Sequence, residues 1–464
     1  IGKVANQLGA NFMGLAIDDL YLQWVPAGLK PSLAYPTPVQ TPLDFSLALS
    51  SELFKSCVDQ LGEEEVLQRL RKSADRFGPP IEQALKDIAA IDEGTGVGWD
   101  PINGIHHDGL PWSGAQAVIS TQEGNWSFTT AFSGGEARTV LELVEDFEQQ
   151  QNRKVELAWN GGYILNPELV GKLGLPSDYI GSPLGLVVQN GEVLSLPLYN
   201  KAAMLISDQG EVTFKRVNLE QGLTVTFASG EQVEFGVKTR NRKRVADGPL
   251  YYDLLHHEDS IPGRGRVIYR LVGNQIIETI IDSVEKVKII PVGLTISLPL
   301  DFSSQHQRSG QQVKFTLAQL QGVQSAIEAG PMLVMDSKID VDMDVEGWTT
   351  ANSIATQAAR LDYLDMRGPK IGVGISNVGK LMVVTINGRI RESVGATHLD
   401  LAQILTDMGA VCAMGFDPGG SVTLIVDGQQ LNITPYNPNY EQNPFSLPGV
   451  ARSVGNAIIV TSTD

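Results

Sequence analysis

The sequence predicts an α+β fold, with strands and helices interspersed rather than alternating in βαβ units. Three observations lead there. Short β-branched and aromatic runs recur beyond Trp99, many of them beside a glycine turn. Only a few segments carry the three-to-four-residue apolar spacing of a helix. The 48 glycines among 464 residues favour a chain with many turns. No regular strand–helix repeat is present, so a doubly wound parallel sheet is not expected. Composition is that of a soluble globular protein, 42% hydrophobic and 19% charged, long enough for two domains or one with insertions.

Residues 1–98 read as a mainly helical N-terminal region. Within its segment 26–46, prolines at 26, 31, 36, 38 and 42 impose extended chain. Helical spacing follows in Leu53, Phe54 and Cys57, in Val66, Leu67 and Leu70, and in Ile81, Leu85 and Ile88, with a break at Gly78-Pro79-Pro80. Residues 99–464 read as one mixed-sheet domain with packed helices. Its first strands are expected at Ala117–Ser120 and Trp126–Thr129, then an amphipathic helix over Glu136–Gln150 with Val140, Leu141, Val144 and Phe147 on one face. Val155–Trp159 is a strand running into Asn160-Gly161-Gly162-Tyr163, and Leu186–Val188 and Ala203–Ile206 are strands beside glycine turns. An insertion near 211–320 holds further β-like runs and the basic cluster Lys238–Arg244, which reads as a solvated turn. A hairpin at Lys370–Ser376 and Leu381–Ile386, a helix over Asp400–Met408 and strands at Leu424–Val426 and Ala457–Val460 complete the chain.

Charge excludes some functions. A net charge of −18 argues against a nucleic-acid binder, and an anionic ligand would need a locally basic pocket. No apolar run reaches the roughly 18 residues of a membrane span. The two cysteines, Cys57 and Cys412, form neither a disulfide framework nor a zinc site, and Cys412 reads as core. His106-His107-Asp108 and His256-His257-Glu258-Asp259 lack metal-ligand spacing and read as exposed loops. There is no G-x-S-x-G elbow, and Gly372-Val373-Gly374 lacks the third glycine of a dinucleotide site.

Three clusters stand at the ends of apolar runs, Asn160-Gly161-Gly162, Glu328-Ala329-Gly330-Pro331 and Asp417-Pro418-Gly419-Gly420-Ser421, and a fourth, Arg452-Ser453-Val454-Gly455-Asn456, stands just before the last strand. The third sets a carboxylate beside successive N–H groups able to form an anion nest, although on those residues alone a plain strand–turn–strand with a turn aspartate is the favoured reading. Arg452 is suited to a bidentate phosphate contact.

In their order these segments resemble the phosphodiester glycosidase family. The resemblance rests on Asn160–Tyr163, Gly185–Val193, Ala329–Val334, Ile371–Arg389, Gly395–Ala402, Asp417–Thr423 and Arg452–Ile458. It implies a hydrolase that cleaves between a sugar anomeric carbon and phosphate in a sugar-1-phosphodiester, with export from the cytoplasm. On that reading Asp417 is nucleophile or general base and Glu328 the second carboxylate. Arg452, the Gly419, Gly420 and Ser421 backbone and Lys201 hold the phosphate, while Asn160, Gly161, Gly162 and Asn456 meet the sugar or shape the pocket. No cofactor is required; a divalent cation at Asp417 has no readable ligand set. The partner is a sugar-phosphodiester or glycan. Four departures stand out: Pro418 for glycine, Val422 for serine or threonine, Phe416 for leucine, and Gly368-Pro369-Lys370 where the family often has Arg-Thr-Ala, with Arg367 one register away. They leave open a non-catalytic glycan- or phosphoglycan-binding module or envelope component, and a phosphodiesterase cutting P–O is a further alternative.

Overall fold

The computed structural model describes residues 97–463 except 123–125, 135–137, 166–169, 171–174, 243–247, 254, 291, 303–305, 349–366, 389–391 and 434–450, with five isolated residues between 59 and 68. The expected helical N-terminal region and its proline-punctuated segment lie outside the described residues.

Three sheets enclose one core. The first has seven strands, in the order Gly98–Ile105, Pro111–Ser120, Lys380–Ile386, Lys370–Ser376, Ala410–Gly415, Met332–Met335 and Lys338–Ile339. The second has five: Gln429–Gln430, Leu424–Val426, Leu157–Asn160, Asn456–Ser462 and Trp126–Phe132. The third also has five: Glu192–Ser195, Val187–Gln189, Val323–Glu328, Ala202–Ser207 and Val212–Arg216. Because strand side chains alternate between faces, each sheet sends every other residue inward. Ile371 and Val373 of the first, Leu157 and Trp159 of the second, and Met204 and Ile327 of the third meet in the same buried cluster.

The outer faces need separate covers. Helix α1, Val140–Gln151, lies over the second sheet with Val140, Leu143 and Val144 against Ala158, Ile425 and Ile459. Its start is set by a capping box, Thr139 accepting from the Glu142 N–H while the Glu142 carboxylate accepts from the Thr139 N–H. Helix α2, His398–Asp407, covers the first sheet through Leu401, Ala402 and Leu405, and Thr397 with Asp400 forms the same box. The third sheet is covered by the inserted segment. There Leu223, Val225, Tyr251, Tyr269 and Ile296, from a three-stranded and a four-stranded sheet, pack on Ala203, Leu205 and Ala326.

Two expectations change. All strand ladders among the described residues are antiparallel, so the sheets are not mixed. Helices are also few, chiefly α1 and α2 among the described residues, so the described part is predominantly β. The physical reason is that inserted strands, rather than crossover helices, close the third sheet. Among the described residues no helix is long and apolar enough to cross a membrane.

Candidate functional site

The candidate residues gather where the chain passes between sheets. Glu328 ends a strand of the third sheet, and Ala329–Pro331 carries the chain into the first sheet at Met332. Gly415 ends a strand of the first sheet, and 416–423 carries the chain into the second at Leu424. The crossings are tied together: the Gly330 N–H donates to the Gly415 carbonyl (3.1 Å), and the Gly415 N–H to the Pro331 carbonyl (2.8 Å). The Asn160–Tyr163 loop lies against both. Its Gly161 carbonyl accepts from the Asp417 N–H at 3.1 Å.

Close approach explains the paired glycines of that loop. A Cβ on Gly161 would stand 1.9 Å from Asn456 Oδ1, and one on Gly162 2.1 Å from the Glu328 carbonyl oxygen. The two asparagines hold this geometry. Asn160, fully buried, donates from Nδ2 to the Asp417 carbonyl (2.9 Å) and accepts at Oδ1 from the Thr423 N–H (3.0 Å). It therefore clamps both ends of the Asp417 turn. Asn456, also fully buried, accepts at Oδ1 from the Gly162 N–H (2.8 Å), and its Nδ2 has no partner among the described residues.

Asp417 is half-buried and opens the site. Burial pushes its carboxyl up to about 6, opposed by the Ser421 hydroxyl and by the Arg452 and Lys201 charges. Arg452 is partly exposed, whereas Ser421 is buried. The anion nest is poorer than its sequence implies. Gly419 takes the positive φ of +70° that the turn requires, but its N–H donates to the Pro369 carbonyl (3.0 Å). Pro418 has no N–H, leaving at most those of Gly420 and Ser421.

Behind Asp417 lies a buried charge cluster. Lys201, 1% exposed, sets Nζ 4.0 Å from the Trp348 ring centroid, 5.0 Å from Tyr163 and 5.9 Å from Tyr199. These are cation–π distances. Burial lowers its proton affinity, and Glu328, Glu346 and Asp417 oppose that fall. Glu328, equally buried, accepts from the Leu198 N–H at both oxygens (3.1 and 3.0 Å) and from Leu186 at Oε2 (3.2 Å). Burial raises its carboxyl; Lys201 and these N–H groups counter the rise. Its oxygens are thus bonded to backbone N–H groups in a buried position. Glu346 accepts from Met332 N (2.7 Å), Trp348 Nε1 (3.0 Å) and Arg216 Nε (3.2 Å). Sequence reasoning missed Glu346, Trp348 and Tyr199 as site residues. The one signal was the compact Glu346-Gly347-Trp348 group, which fits no helix or strand period.

Other candidates lie elsewhere. Arg367, 3% exposed, pairs with Asp400 (2.9 Å) and Asp108 (2.6 Å) at the start of α2. Those acids hold its guanidinium, so it does not restore a substrate arginine by a register shift. His106 and His256 are buried rather than exposed: His106 Nε2 meets the Gly395 carbonyl at 2.8 Å, and His256 packs edge-on against Tyr252. In the basic cluster, Arg240 pairs with Asp253 at 2.7 Å. Cys412 is only half-buried, although burial still raises its thiol to about 11. Among the described residues no group of three His, Cys, Asp or Glu side chains could hold a metal ion.

Comparison with known proteins bears on these clusters. Residues 294–461 match the phosphodiester glycosidase family. Over those residues the chain is similar to a phosphodiester glycosidase domain. The match takes in Glu328, Asp417–Ser421, Arg452 and Asn456; it starts inside the segment read as an insertion and leaves Asn160–Gly162 and Lys201 outside. No curated protein matches the chain. Similar solved structures include a hypothetical protein from Synechocystis, at 19% identity and TM-score 0.48, covering 79% of this chain. The chain spans 62% of that protein's length. Another is the catalytic domain of zebrafish N-acetylglucosamine-1-phosphodiester alpha-N-acetylglucosaminidase, auto-inhibited by its pro-peptide, at 13% identity and TM-score 0.43, covering 81% of this chain and 86% of that one.

Proposed function

We propose that the protein is a hydrolase of sugar-1-phosphodiesters, cutting the bond between the anomeric carbon and the phosphate oxygen. The observation that carries this reading is the Asp417 carboxylate, half-open to solvent and set between the Ser421 hydroxyl and two cations of different accessibility. Cleavage at an anomeric carbon passes through an oxocarbenium-like transition state, which a carboxylate stabilises. The departing group is a phosphate monoester, whose charge needs a cation more than a proton. Arg452, on the open side, meets that phosphate, with the Gly420 and Ser421 N–H groups beside it. Asp417 attacks the anomeric carbon or deprotonates water there; retention or inversion of the released sugar distinguishes the two. Glu328 acts as counter-ion to Lys201 rather than as a second reacting carboxylate, since Leu186 and Leu198 occupy its oxygens. Asn160 and Asn456, both fully buried, shape the turn and loop. The reading calls for no cofactor, with Arg452 and Lys201 supplying positive charge near Asp417.

The test is sugar release from a nucleotide-sugar phosphodiester by the purified chain and by Asp417→Asn. The wild type turns over and the variant loses at least a hundredfold. Undiminished turnover in folded Asp417→Asn overturns the assignment. A second reading, a phosphoglycan-binding module, is favoured by the nest's lost donors at Pro418 and Gly419, and binding without release supports it.

A further inference from the structure

We propose that Glu346 is a positioning residue of the Asp417 site: its buried carboxylate pins the crossing from the third sheet to the first, and the pinned crossing sets where the chain delivers Asp417. The inference rests on the glycosidase reading for what Asp417 does, and on hydrogen bonds and close approaches for what Glu346 does.

Glu346 reaches both ends of that crossing, which runs from Glu328 through Ala329–Pro331 to Met332. At the first-sheet end the Met332 N–H donates to Glu346 Oε1 at 2.7 Å. At the third-sheet end the Ala202 N–H donates to the same carboxylate, while the Ala202 carbonyl accepts from the Ala329 N–H at 3.0 Å. Between them Gly330, at φ +83°, passes so close that a Cβ there would stand 2.7 Å from Glu346 Oε2. Glu346 is fixed in turn by Arg216 Nε at 3.2 Å and Trp348 Nε1 at 3.0 Å. It is fully buried, and hydrogen bonds to a charged acceptor are about twice as strong as neutral ones. The proposed reaction makes no use of this carboxylate; four donors converging on it make a joint.

What the joint holds is the approach to Asp417. The Gly330 N–H and the Pro331 carbonyl bond to Gly415 (3.1 and 2.8 Å), two residues before Asp417, and Met332 stands opposite Met414 in the ladder. The Asp417 N–H donates to Gly161 at 3.1 Å, and the next residue, Gly162, packs on the Glu328 carbonyl at the start of the same crossing. The rest of the turn is tied elsewhere. The Gly419 N–H bonds to Pro369 (3.0 Å), the Val422 carbonyl to Asn432 Nδ2 (2.7 Å) and the Thr423 N–H to Asn160 Oδ1 (3.0 Å). Loosening the crossing therefore moves the Asp417 carboxylate more than the Gly420 and Ser421 N–H groups beside the phosphate. A misplacement of about 1 Å at a reacting group can cost about a hundredfold in rate, so the loss falls on kcat rather than on binding.

The test compares wild type with Glu346→Gln, which keeps the side chain's length but gives up half of its acceptor capacity. Sugar release from a nucleotide-sugar phosphodiester should show kcat lowered about tenfold or more, with KM changed less than about threefold. Hydrogen–deuterium exchange read by mass spectrometry follows the joint itself. Peptides carrying the Gly415 and Asp417 amides should exchange about tenfold faster or more, and those carrying Ala457 and Ile459 of the second sheet at the wild-type rate. A merely structural role gives a different pattern, faster exchange in all three sheets and kcat falling only with the folded fraction. Unchanged exchange at Gly415 and Asp417, equal acceleration in the second sheet, or an unchanged kcat overturns the proposal. Should Glu346→Gln not fold, Glu346→Asp, which keeps the charge beside Arg216 but falls a methylene short of Met332, takes its place with the same expected pattern and the same refutation. Exchange needs no turnover, so a folded wild type that releases no sugar, with local acceleration in the variant, counts against the glycosidase reading alone.

Discussion

Replacing Asp417 by asparagine should make the protein more stable at neutral pH, although it removes the reacting group. The reason is the carboxyl's raised value of about 6 against an ordinary 3.8. Below pH 3.8 the group is protonated in both folded and unfolded chains. Between 3.8 and about 6 the unfolded chain gives up its proton while the folded one keeps it, so stability falls as pH rises through that window. Above it both forms are charged, and the folded state carries the full cost of a buried carboxylate. Each tenfold change in proton affinity is about 1.4 kcal/mol, which sets a ceiling of about 3 kcal/mol. Asp417 is half-open to water, so about 1–3 kcal/mol is expected. Asparagine keeps the shape without the charge. Urea unfolding, followed by tryptophan fluorescence at pH 4 and pH 7.5, measures the difference. Asp417→Asn should exceed wild type by that amount at pH 7.5, and the gap should shrink at pH 4. A variant equal to or less stable than wild type at pH 7.5, or a gap that does not depend on pH, refutes the reasoning.

Three further outcomes follow from the same geometry. Asn160→Ala leaves the Asp417 carbonyl and the Thr423 N–H unpaired, costing about 2–4 kcal/mol and most of the turnover; denaturant unfolding and sugar release measure the two. Gly162→Ala drives a Cβ toward the Glu328 carbonyl 2.1 Å away, and unfolding should show a loss of about 2–3 kcal/mol. Arg367→Met strands Asp108 and Asp400 at the start of α2, lowering stability by about 2–4 kcal/mol, while the kinetic constants of the folded enzyme stay within twofold because Arg367 stands outside the site.

Much of the architecture is local and was therefore legible. The strand from Leu157 that runs into Asn160, the hairpin of Lys370–Ser376 with Lys380–Ile386, and α2 are written in apolar period and turn residues. Helix α1 was legible too, but it begins at Val140, after its capping box. Partnerships between distant residues were not legible. Asn160 reads as a polar group at a strand end; that it faces inward to hold Asp417 depends on a contact 257 residues away. His106 reads as a loop histidine, yet its partner Gly395 lies 289 residues on. Lys201 follows Tyr199-Asn200 in what reads as a turn, where a lysine ordinarily faces water. It is interior because the rings of Trp348 and Tyr163, brought from separate loops, lie over it. The Asp417 turn reads as a candidate site, but it offers fewer free N–H donors than its sequence implies, because no local pattern shows Gly419 bonding to Pro369.

The measurement that tests the central claim most directly is hydrolysis of a sugar-1-phosphodiester in ¹⁸O-labelled water, with sugar and phosphate products analysed by mass spectrometry. Attack at the anomeric carbon places the label in the released sugar and leaves the phosphate monoester unlabelled, which is the result this account predicts. Label in the phosphate, or no release by folded wild-type protein, would contradict it.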